Sequence, residues 1–560
     1  MESSDTRNTW LAVGLCAFIM WWFEAIFPRP GSVQEAKPKV TQELTPSCLP
    51  DQGAPDQDGP HVAIQAHRAQ GHVNLRGGFL DSWTLTHQRQ TLEDPSPINL
   101  LSMDRQFWAQ WRWYSPESHV AMPDASTLWV MDSSQRTDKE PVTIRWSNGQ
   151  GLFFEQVFNF HKTNLVHVTQ RVTNHSNQSV MIGCESRIQR PVPSKKEMSG
   201  LMVYEGPLGY FNGALYEESY KDMQKRPPSS FSHTPGWAGF TDRFWLWALL
   251  STENVSTSFH YIPGEQNLRD FAIVTQKSAT QTLEPKETYS WESYAYLGAK
   301  NLDMLTHYEQ SLPMPKLDLA LDFGWLYILT KPMYMALTWL KDWVHNMGLA
   351  IMIITVLIKL VFLPITLISQ KSTDAMKKLQ PKIAKIKQQY KDDAARMQQE
   401  IMHLYRRHKA NPLLGCLPML LQIPFFFALY KVLIISIDMR HAPFFGWIDD
   451  LSAPDPTSLW NGFGLLPQSA PDLLPIGIWP ILMGLTMVWQ QMQAPPMNIE
   501  GSESNQKKIR ATFVWGMPAV FTYMFSQFPS GLVIYWAWNN ILTIIQQWGI
   551  QRYQKRVSRV

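Results

Sequence analysis

Six apolar runs constrain this chain more than any other feature, because each has roughly the 20 residues that an α-helix needs to cross a bilayer. They lie at residues 9–27, 348–369, 413–437, 473–492, 509–528 and 529–548. Helices satisfy all of their backbone hydrogen bonds inside hydrocarbon, so these runs are predicted to be membrane-spanning helices. The predicted fold class is therefore a multi-pass α-helical membrane protein with six spans.

The first run and the segment after it are expected to anchor and tether the rest of the chain. No small-x-small cleavage site follows the run, so residues 1–27 are expected to form a retained anchor rather than a removed signal peptide. Residues 28–60 are rich in Pro, Gln, Asp and Gly, a composition typical of a flexible tether.

The charges between the runs predict the orientation. Residues 371–411 carry eleven Lys or Arg against four Asp or Glu, and the short tail at 549–560 is basic. Residues 438–472 carry one basic residue and five acidic ones. Because basic segments stay in the cytoplasm, both termini are predicted to be cytoplasmic and the long region after the tether to be periplasmic in a cell with two membranes.

Residues 61–320 are predicted to form a large all-β domain. Short runs of alternating apolar and polar residues, such as "VTIRW", "LFFEQVFNF" and "LVHVTQRV", are separated by turn sequences such as "SNGQG" and "NHSNQS". This period of two indicates antiparallel strands. At this length a large sandwich is favoured over a small barrel.

The sequence of this domain predicts no catalytic or metal site. His161, His167 and His260 lack partners at metal-ligand spacing and are interpreted as structural. Cys48 and Cys184 could form a disulfide if they are exported, but nothing in the sequence requires it. The chain has no GxxxxGK[ST] phosphate loop, and no cofactor is predicted.

Residues 321–347 are apolar but interrupted by Lys331, Pro332, Lys341 and Asp342. This pattern, with its tryptophans, is typical of an amphipathic helix lying in the outer membrane interface. For the first half of the segment, a helix docked on the β domain fits the sequence equally well.

Within the basic segment 371–411, two amphipathic helices joined by a short turn are predicted. Its basic side chains include Lys377, Lys382, Lys385, Arg406 and Arg407. Three roles remain open for them: a solvated face, contact with anionic lipid headgroups, and contact with ribosomal RNA. No aromatic residues are interleaved to stack on bases, and no DNA binding is expected.

Lys359 is the most unusual residue of the spans, because it lies in the middle of "ITVLIKLVFLPIT". At about 16 Å from either interface, it is beyond the distance over which a lysine side chain can reach water. An ammonium group at this depth costs at least ~2.5 kcal/mol, so it must face water, a partner or a thinned bilayer. The last five runs contain no Asp or Glu, which argues against an ion pair or a proton relay.

Neutral polar side chains accompany this lysine. They are Thr355, Gln422, Gln490, Asn540 and Thr543. Each of them alone is explained by helix packing. Together with Lys359, however, they predict a hydrated, non-selective groove.

Several stretches resemble the YidC family of membrane protein insertases, in its Gram-negative six-span form. They are "DLALDFGWLYILTKP", "NPLLGCLPMLLQIPFFFALY", "WPILMGLTM" and "FPSGLVIYW" followed by "TIIQQ", with a looser likeness at "GWAGFTDRFW". The resemblance implies a periplasmic β-supersandwich without catalysis and a five-helix core at 348–548 that encloses a hydrophilic groove. Lys359 stands where the family carries one positive residue, often arginine.

The resemblance also implies a slide for incoming helices along the third and fifth spans. The residues that this assigns to the slide are Phe425, Phe426, Leu429, Phe513 and Met517. It further implies that the basic hairpin receives substrate. The implied partners are nascent membrane proteins, the Sec translocon with its accessory subunits, anionic lipids and, weakly because the tail is short, the ribosome.

The predicted function is insertion of newly made proteins from the cytoplasm into the inner membrane, alone or with the Sec translocon, without covalent chemistry or nucleotide hydrolysis. One alternative is a secondary transporter, which predicts inverted repeats and broken helices that the sequence does not reveal. The other is a membrane-tethered carbohydrate-binding protein. It predicts a pair of carboxylates in the exported domain and leaves Lys359 unexplained.

Overall fold

The computed structural model of the chain comprises two compact units, Pro28–Asp322 and Phe323–Val560 with Met1–Phe27. The residues that it describes are 59–131, 141–160, 164–194, 197–198, 203–233, 235–264, 269–312, 314–390, 393–408, 412–459, 462–464, 476–493 and 510–557. The predicted first span, Cys48 and nearly all of the predicted tether lie outside them.

The described part of the first unit is built from antiparallel strands with two helices, α1 (Tyr220–Met223) and α2 (Leu302–Ser311). The strands are β1 (His61–Gln65), β2 (Ala69–Asn74), β3 (Phe79–Arg89), β4 (Pro97–Ser102), β5 (Trp108–Tyr114), β6 (Val130–Met131), β7 (Val142–Ser147), β8 (Leu152–Phe160), β9 (Leu165–Asn174), β10 (Val180–Pro191), β11 (Gly206–Phe211), β12 (Ala214–Glu217), β13 (Ser229–His233), β14 (Gly236–Thr241), β15 (Trp245–Ser251), β16 (Val255–Ile262), β17 (Phe271–Ser278), β18 (Gln281–Leu283) and β19 (Thr288–Ala299).

These strands form two sheets. In the first, the order is β1-β2-β3-β5-β10-β17-β16-β13, with β4 paired to β3 and β18 paired to β10. The order in the second is β12-β11-β14-β15-β19-β9-β8-β7-β6. The prediction of a large all-β domain is confirmed.

Aromatic side chains from the two sheets meet in one core. Trp83 of β3 stacks on Phe160 of β8 with ring centroids 5.7 Å apart, and Trp111 of β5 contacts Phe158 edge to face at 5.7 Å. The indole N–H of Trp83 donates to the carbonyl oxygen of Leu297 in β19 at 3.1 Å. Since large aromatic side chains bury more area than any others, these contacts hold the sheets together as a sandwich.

Two predicted features of this unit can be compared with the structure. Cys184 is a free, buried thiol in β10, and its possible partner Cys48 is outside the described residues. His167 stacks on Tyr294 of the neighbouring strand at 4.5 Å. His260 is buried in β16 and shares a hydrogen bond of 2.9 Å with the hydroxyl of Ser258.

His260 makes the stability of this unit depend on pH. Burial and, to a smaller extent, the positive charge of Lys277 lower the pKa of the imidazole from 6.5 to about 4, although Glu185 acts in the opposite direction. The unfolded chain therefore takes up a proton at a higher pH than the folded chain does. The contribution to stability is complete above pH 6.5 and is lost as the pH falls towards 4.

We expect His260→Asn to flatten this dependence, because asparagine does not titrate. The wild-type free energy of unfolding should fall by about 3 kcal/mol more than that of the variant between pH 7 and 4. The difference is measured by unfolding the full chain in urea, with protease cleavage of the β unit as the readout of unfolding. Parallel pH profiles for the two proteins would contradict the assignment.

The second unit is helical. Its helices are α3 (Tyr327–Val344), α4 (Met347–Val361), α5 (Leu363–Gln389), α6 (Ala394–Arg407), α7 (Pro412–Ile435), α8 (Ile478–Gln493), α9 (Met517–Phe525) and α10 (Ser530–Val557). A π-helical turn, Thr512–Gly516, leads directly into α9. Helix α3 lies within the segment predicted to be interfacial, and the first residues of the predicted tail continue α10.

The segment of the predicted span at 348–369 is divided between two helices. The chain leaves helical geometry at Phe362, and α4 and α5 meet there at an angle of 62°. Pro364 lies one residue into α5, and its ring prevents the backbone hydrogen bond that would join the two helices. A broken helix, which the transporter alternative predicts and which the sequence did not reveal, is therefore present.

Within the described residues, the bent pair α4–α5 is the one case with the length and apolar composition of a membrane span, and no single helix has both. Two shorter apolar helical segments are present at Leu421–Ile435 and Thr512–Phe525.

Helices α8 and α9 approach each other closely at Gly484. A Cβ atom added to this glycine would lie 2.1 Å from the Thr522 hydroxyl oxygen, so a larger residue would push the two helices apart. The hairpin of α5 and α6 has its own small apolar core, in which Leu379 and Ile383 of α5 pack with Ile401 and Leu404 of α6.

Candidate functional site

A cavity of about 630 Å³ lies among α4, α5, α7, α8 and α10 in the second unit. Lys359 lines it from the last turn of α4, just before the bend to α5. Because the helix is broken here, the lysine lies at the corner between α4 and α5. In a straight helix it would lie on one continuous apolar surface.

Neutral oxygen atoms from two other helices surround the ammonium group. Lys359 Nζ donates to Thr543 Oγ1 of α10 at 2.8 Å and to Gln422 Oε1 of α7 at 3.4 Å. Gln422 Nε2 in turn donates to Asn539 Oδ1 at 2.8 Å. An ammonium group has three N–H donors, so one is left for a ligand or for water.

A second pair of hydrogen bonds ties α8 to α10 beside this network. Asn540 Nδ2 donates to Thr486 Oγ1 at 3.1 Å, and Gln490 Nε2 donates to the backbone carbonyl oxygen of Asn540 at 3.1 Å. Asn540 is buried, so its side chain serves helix packing.

The cavity is polar but carries little charge. Among its lining residues in the described part of the chain there are two lysines, Lys359 and Lys377, and no aspartate or glutamate. Most of the other polar lining groups are carboxamides and hydroxyls. Such a surface can hydrogen-bond to many ligands, and its only formal charge is positive.

The predicted groove residues meet in this cavity but have different surroundings. Lys359, Gln422, Gln490 and Thr543 line it with half-buried side chains. The hydroxyl of Thr355 is buried and donates to the backbone carbonyl oxygen of Ile351 at 2.6 Å. Thr355 therefore stabilises its own helix and offers no free donor to the cavity.

The predicted slide residues separate into two groups. Phe426 lines the cavity and contacts Trp536 edge to face at 4.7 Å, and Phe425 contacts Phe362 at the bend at 5.0 Å. Phe513 and Met517, on the π-helical turn and at the start of α9, are exposed. Leu429 is fully buried, so in this structure its side chain offers no surface to an incoming helix.

The predicted hairpin cations also separate. Lys382, Lys385, Arg406 and Arg407 are exposed on α5 and α6. Lys377 lines the cavity instead, and its Nζ donates to the backbone carbonyl oxygen of Gln493 at 3.2 Å. Of the five predicted hairpin cations, Lys377 is therefore the one that lines the cavity.

Several lining residues were missed by the sequence analysis. The largest group consists of glutamines on α5, α8 and α10, and it includes Gln370, Gln493, Gln547 and Gln551. Their spacing along the helices was the available signal. Several of them lie outside the apolar runs, however, where polar residues are common and indicate no particular site.

The first unit contains a larger cavity, of about 840 Å³. Two of its carboxylates are in ion pairs, Asp242 with Arg190 at 2.6 Å and Glu197 with Arg269 at 3.0 Å. Carboxylates held in this way are poorly suited to act as an acid–base pair on a sugar. In the described residues, no group of three or more His, Cys, Asp or Glu could hold a metal ion.

Family models match both units. The family described as 60Kd inner membrane protein matches residues 339–557, and the YidC periplasmic domain family matches residues 61–336.

Curated relatives match almost the whole chain. The membrane protein insertase YidC of Granulibacter bethesdensis is 38% identical over 98% of this chain and 98% of its own length. That of Rickettsia bellii is 38% identical over 93% of this chain and 90% of its own length. A crystal structure of an active YidC insertase with its first transmembrane domain resolved is 16% identical, with a TM-score of 0.36, over 88% of this chain and 93% of that chain.

The contact between Lys359 and Gln422 allows a test of the cavity's geometry. We expect Gln422→Glu to place a carboxylate within about 4 Å of the ammonium group and to stabilise the folded chain by roughly 1 kcal/mol at low salt. In a Lys359→Met background the same carboxylate has no counter-ion, so it should destabilise the chain. Thermal unfolding of the four proteins in detergent measures both effects; equal effects in both backgrounds would show that the two side chains do not meet.

Proposed function

The chain belongs to the YidC family of membrane protein insertases, and we propose that it moves newly made proteins from the cytoplasm into the inner membrane through the cavity around Lys359. The observation that carries this proposal is a positive charge held only by neutral groups in a polar cavity among apolar helices. A transporter site or an ion-pair network would supply an acidic partner, and the described lining residues include no aspartate or glutamate.

The chain is an inner membrane protein with a periplasmic domain. For its finer topology we propose six spans with both termini in the cytoplasm. The charge distribution supports this arrangement, because the basic segments then all lie on the cytoplasmic side and the acidic segment 438–472 lies outside. The first unit is then the periplasmic domain, and the α5–α6 hairpin extends into the cytoplasm.

In the proposed mechanism, the cavity lowers the cost of bringing a polar segment of the substrate into the membrane. A buried polar group without a partner costs roughly 1–3 kcal/mol, and the carboxamides and hydroxyls of the lining supply such partners. The remaining N–H donor of Lys359 would bind a carbonyl or carboxylate oxygen. An acidic segment should therefore be favoured, and a strongly basic segment disfavoured.

The apolar helix of the substrate would leave the cavity along exposed apolar side chains. Phe513, Trp515, Met517 and Val520 form such a surface on the π-helical turn and α9. Transfer of that helix into lipid contributes about 25 cal/mol per Å² of apolar surface, so the driving force needs no nucleotide. We propose Phe425 and Phe426 as the part of this path that lies nearest the cavity.

The exposed cations of the hairpin suit contact with anionic lipid headgroups, and we propose these as its partners together with incoming nascent chains. The Sec translocon with its accessory subunits, and weak contact with the ribosome, complete the proposed set of partners.

A crosslinking experiment tests the proposed path. Photo-reactive residues at positions 359, 425 and 513 should each crosslink to a ribosome-stalled, single-span nascent chain. Position 545 serves as a matched control, because Ile545 is exposed on α10 but does not line the cavity. If no nascent chain crosslinks at the three test positions, or if position 545 crosslinks equally, the proposed path is incorrect.

The charge of Lys359 has its own test. We expect Lys359→Leu to slow insertion of a substrate with an acidic exported segment by about tenfold, since a charged hydrogen bond contributes roughly 1.5 kcal/mol or more. A neutral segment of equal length should be affected less, and Lys359→Arg should retain most activity. Protease protection of the exported segment measures insertion; equal losses for acidic and neutral substrates would rule out an electrostatic role.

A further inference from the structure

Helix α10 presents a regular row of polar side chains to the cavity. The row consists of Asn539, Thr543, Gln547 and Gln551, which recur every four residues and all line the cavity. Residues four apart lie on one face of an α-helix, so these side chains follow each other along the wall. We name this set the α10 row.

Helix α5 presents a similar row. Its members are Thr366, Gln370, Thr373 and Lys377, which are spaced by four, three and four residues and also line the cavity. This spacing again follows one helical face. We name this set the α5 row.

Along both rows, the side chains near the bend are hydrogen-bonded and several of those farther away are not. Near the bend, Asn539 and Thr543 are engaged with Gln422 and Lys359. Farther from the bend, four members of the rows make no side-chain hydrogen bond to another described residue: Gln370, Thr373, Gln547 and Gln551. Together with the remaining N–H donor of Lys359, these groups of the two rows are available to a ligand.

The chemistry of the available groups is unusual for a surface beside a basic hairpin. A carboxamide carries two N–H donors and an acceptor oxygen without a charge, and a hydroxyl also donates and accepts. A peptide group likewise presents one N–H donor and one acceptor oxygen at every residue. The rows are therefore complementary to a polypeptide backbone, whatever side chains that backbone carries.

The length of the rows also fits an extended chain. From Asn539 to Gln551 the α10 row advances by twelve residue steps, or about 18 Å at a rise of 1.5 Å per residue. An extended chain advances about 3.4 Å per residue, so roughly five residues would lie along the row.

We propose that the two rows bind the translocating segment of a substrate as an extended chain through its peptide groups, and that Lys359 binds an oxygen atom at the end of that path. This inference rests on the proposed function of the cavity. It adds the chemical group that is recognised, and it explains how one site accepts segments of unrelated sequence.

The test compares two synthetic single-span substrates that differ only in backbone N–H groups. One has an exported segment of glycine and serine; in the other, five glycines are replaced by sarcosine, which has the same side chain but no backbone N–H. The full chain is reconstituted in liposomes, and protease protection gives the insertion rate. The acceleration is this rate divided by the rate in empty liposomes of the same lipid.

For the wild-type chain we expect the acceleration to be about tenfold lower for the sarcosine substrate. A cavity that supplies only water predicts the opposite, since the sarcosine segment has fewer donors to dehydrate. The double variant Gln547→Leu/Gln551→Leu should lower the acceleration for the glycine substrate about fivefold and leave that for the sarcosine substrate nearly unchanged.

Matched variants separate recognition from damage to the fold. Gln547→Asn/Gln551→Asn keeps both carboxamides and should retain part of the preference for glycine. Gln65→Leu/Gln70→Leu changes two exposed glutamines of β1 and β2 and should alter neither rate. A misfolded Gln547→Leu/Gln551→Leu protein would accelerate neither substrate, so the wild-type comparison alone then decides.

The outcomes distinguish the two levels of the proposal. If the wild-type chain accelerates neither substrate, the proposed function fails, and this inference fails with it. If it accelerates both equally, or the sarcosine substrate more, the proposed function stands and backbone recognition is overturned.

Discussion

An ammonium group within an apolar helix is stable only where other polar groups replace its lost water, and the second unit is organised around that requirement. Lys359 finds oxygen atoms on α7 and α10, and the bend at Phe362 opens the space in which those atoms and a cavity can meet. The neutral groups around Lys359 accommodate its charge without a carboxylate in the described lining of the cavity.

Most of the architecture could be predicted from the sequence, because strand alternation and apolar length are local signals. The run "LFFEQVFNF" is strand β8 with the predicted bounds, and its alternate side chains are buried. The bend at Phe362 could not be predicted with the same ease, because Pro364 is compatible with both a kink and the first turn of a new helix. The π-helical turn at Thr512–Gly516 depends on tertiary packing and has no composition signal.

The site was predicted in part, for a physical reason. A polar residue inside an apolar run is conspicuous, so Lys359, Gln422 and Thr543 could be identified. Gln547, at the end of the apolar run 529–548, and Gln551, beyond it, could not be assigned to the cavity in this way, because a polar residue there is ordinary until its helical face is known. Burial is a property of packing, so the sequence could not indicate that Leu429, one of the predicted slide residues, is completely buried.

The order of strands in the β unit has a consequence for how the chain is made. Strand β19 pairs with β9, more than a hundred residues earlier, and also with β15, so the second sheet is complete only when residue 299 is available. Pairings between such distant segments form late and slowly. During synthesis, nearly three hundred residues must therefore be made before the domain can close. The β unit of this insertase is therefore itself slow to fold during synthesis.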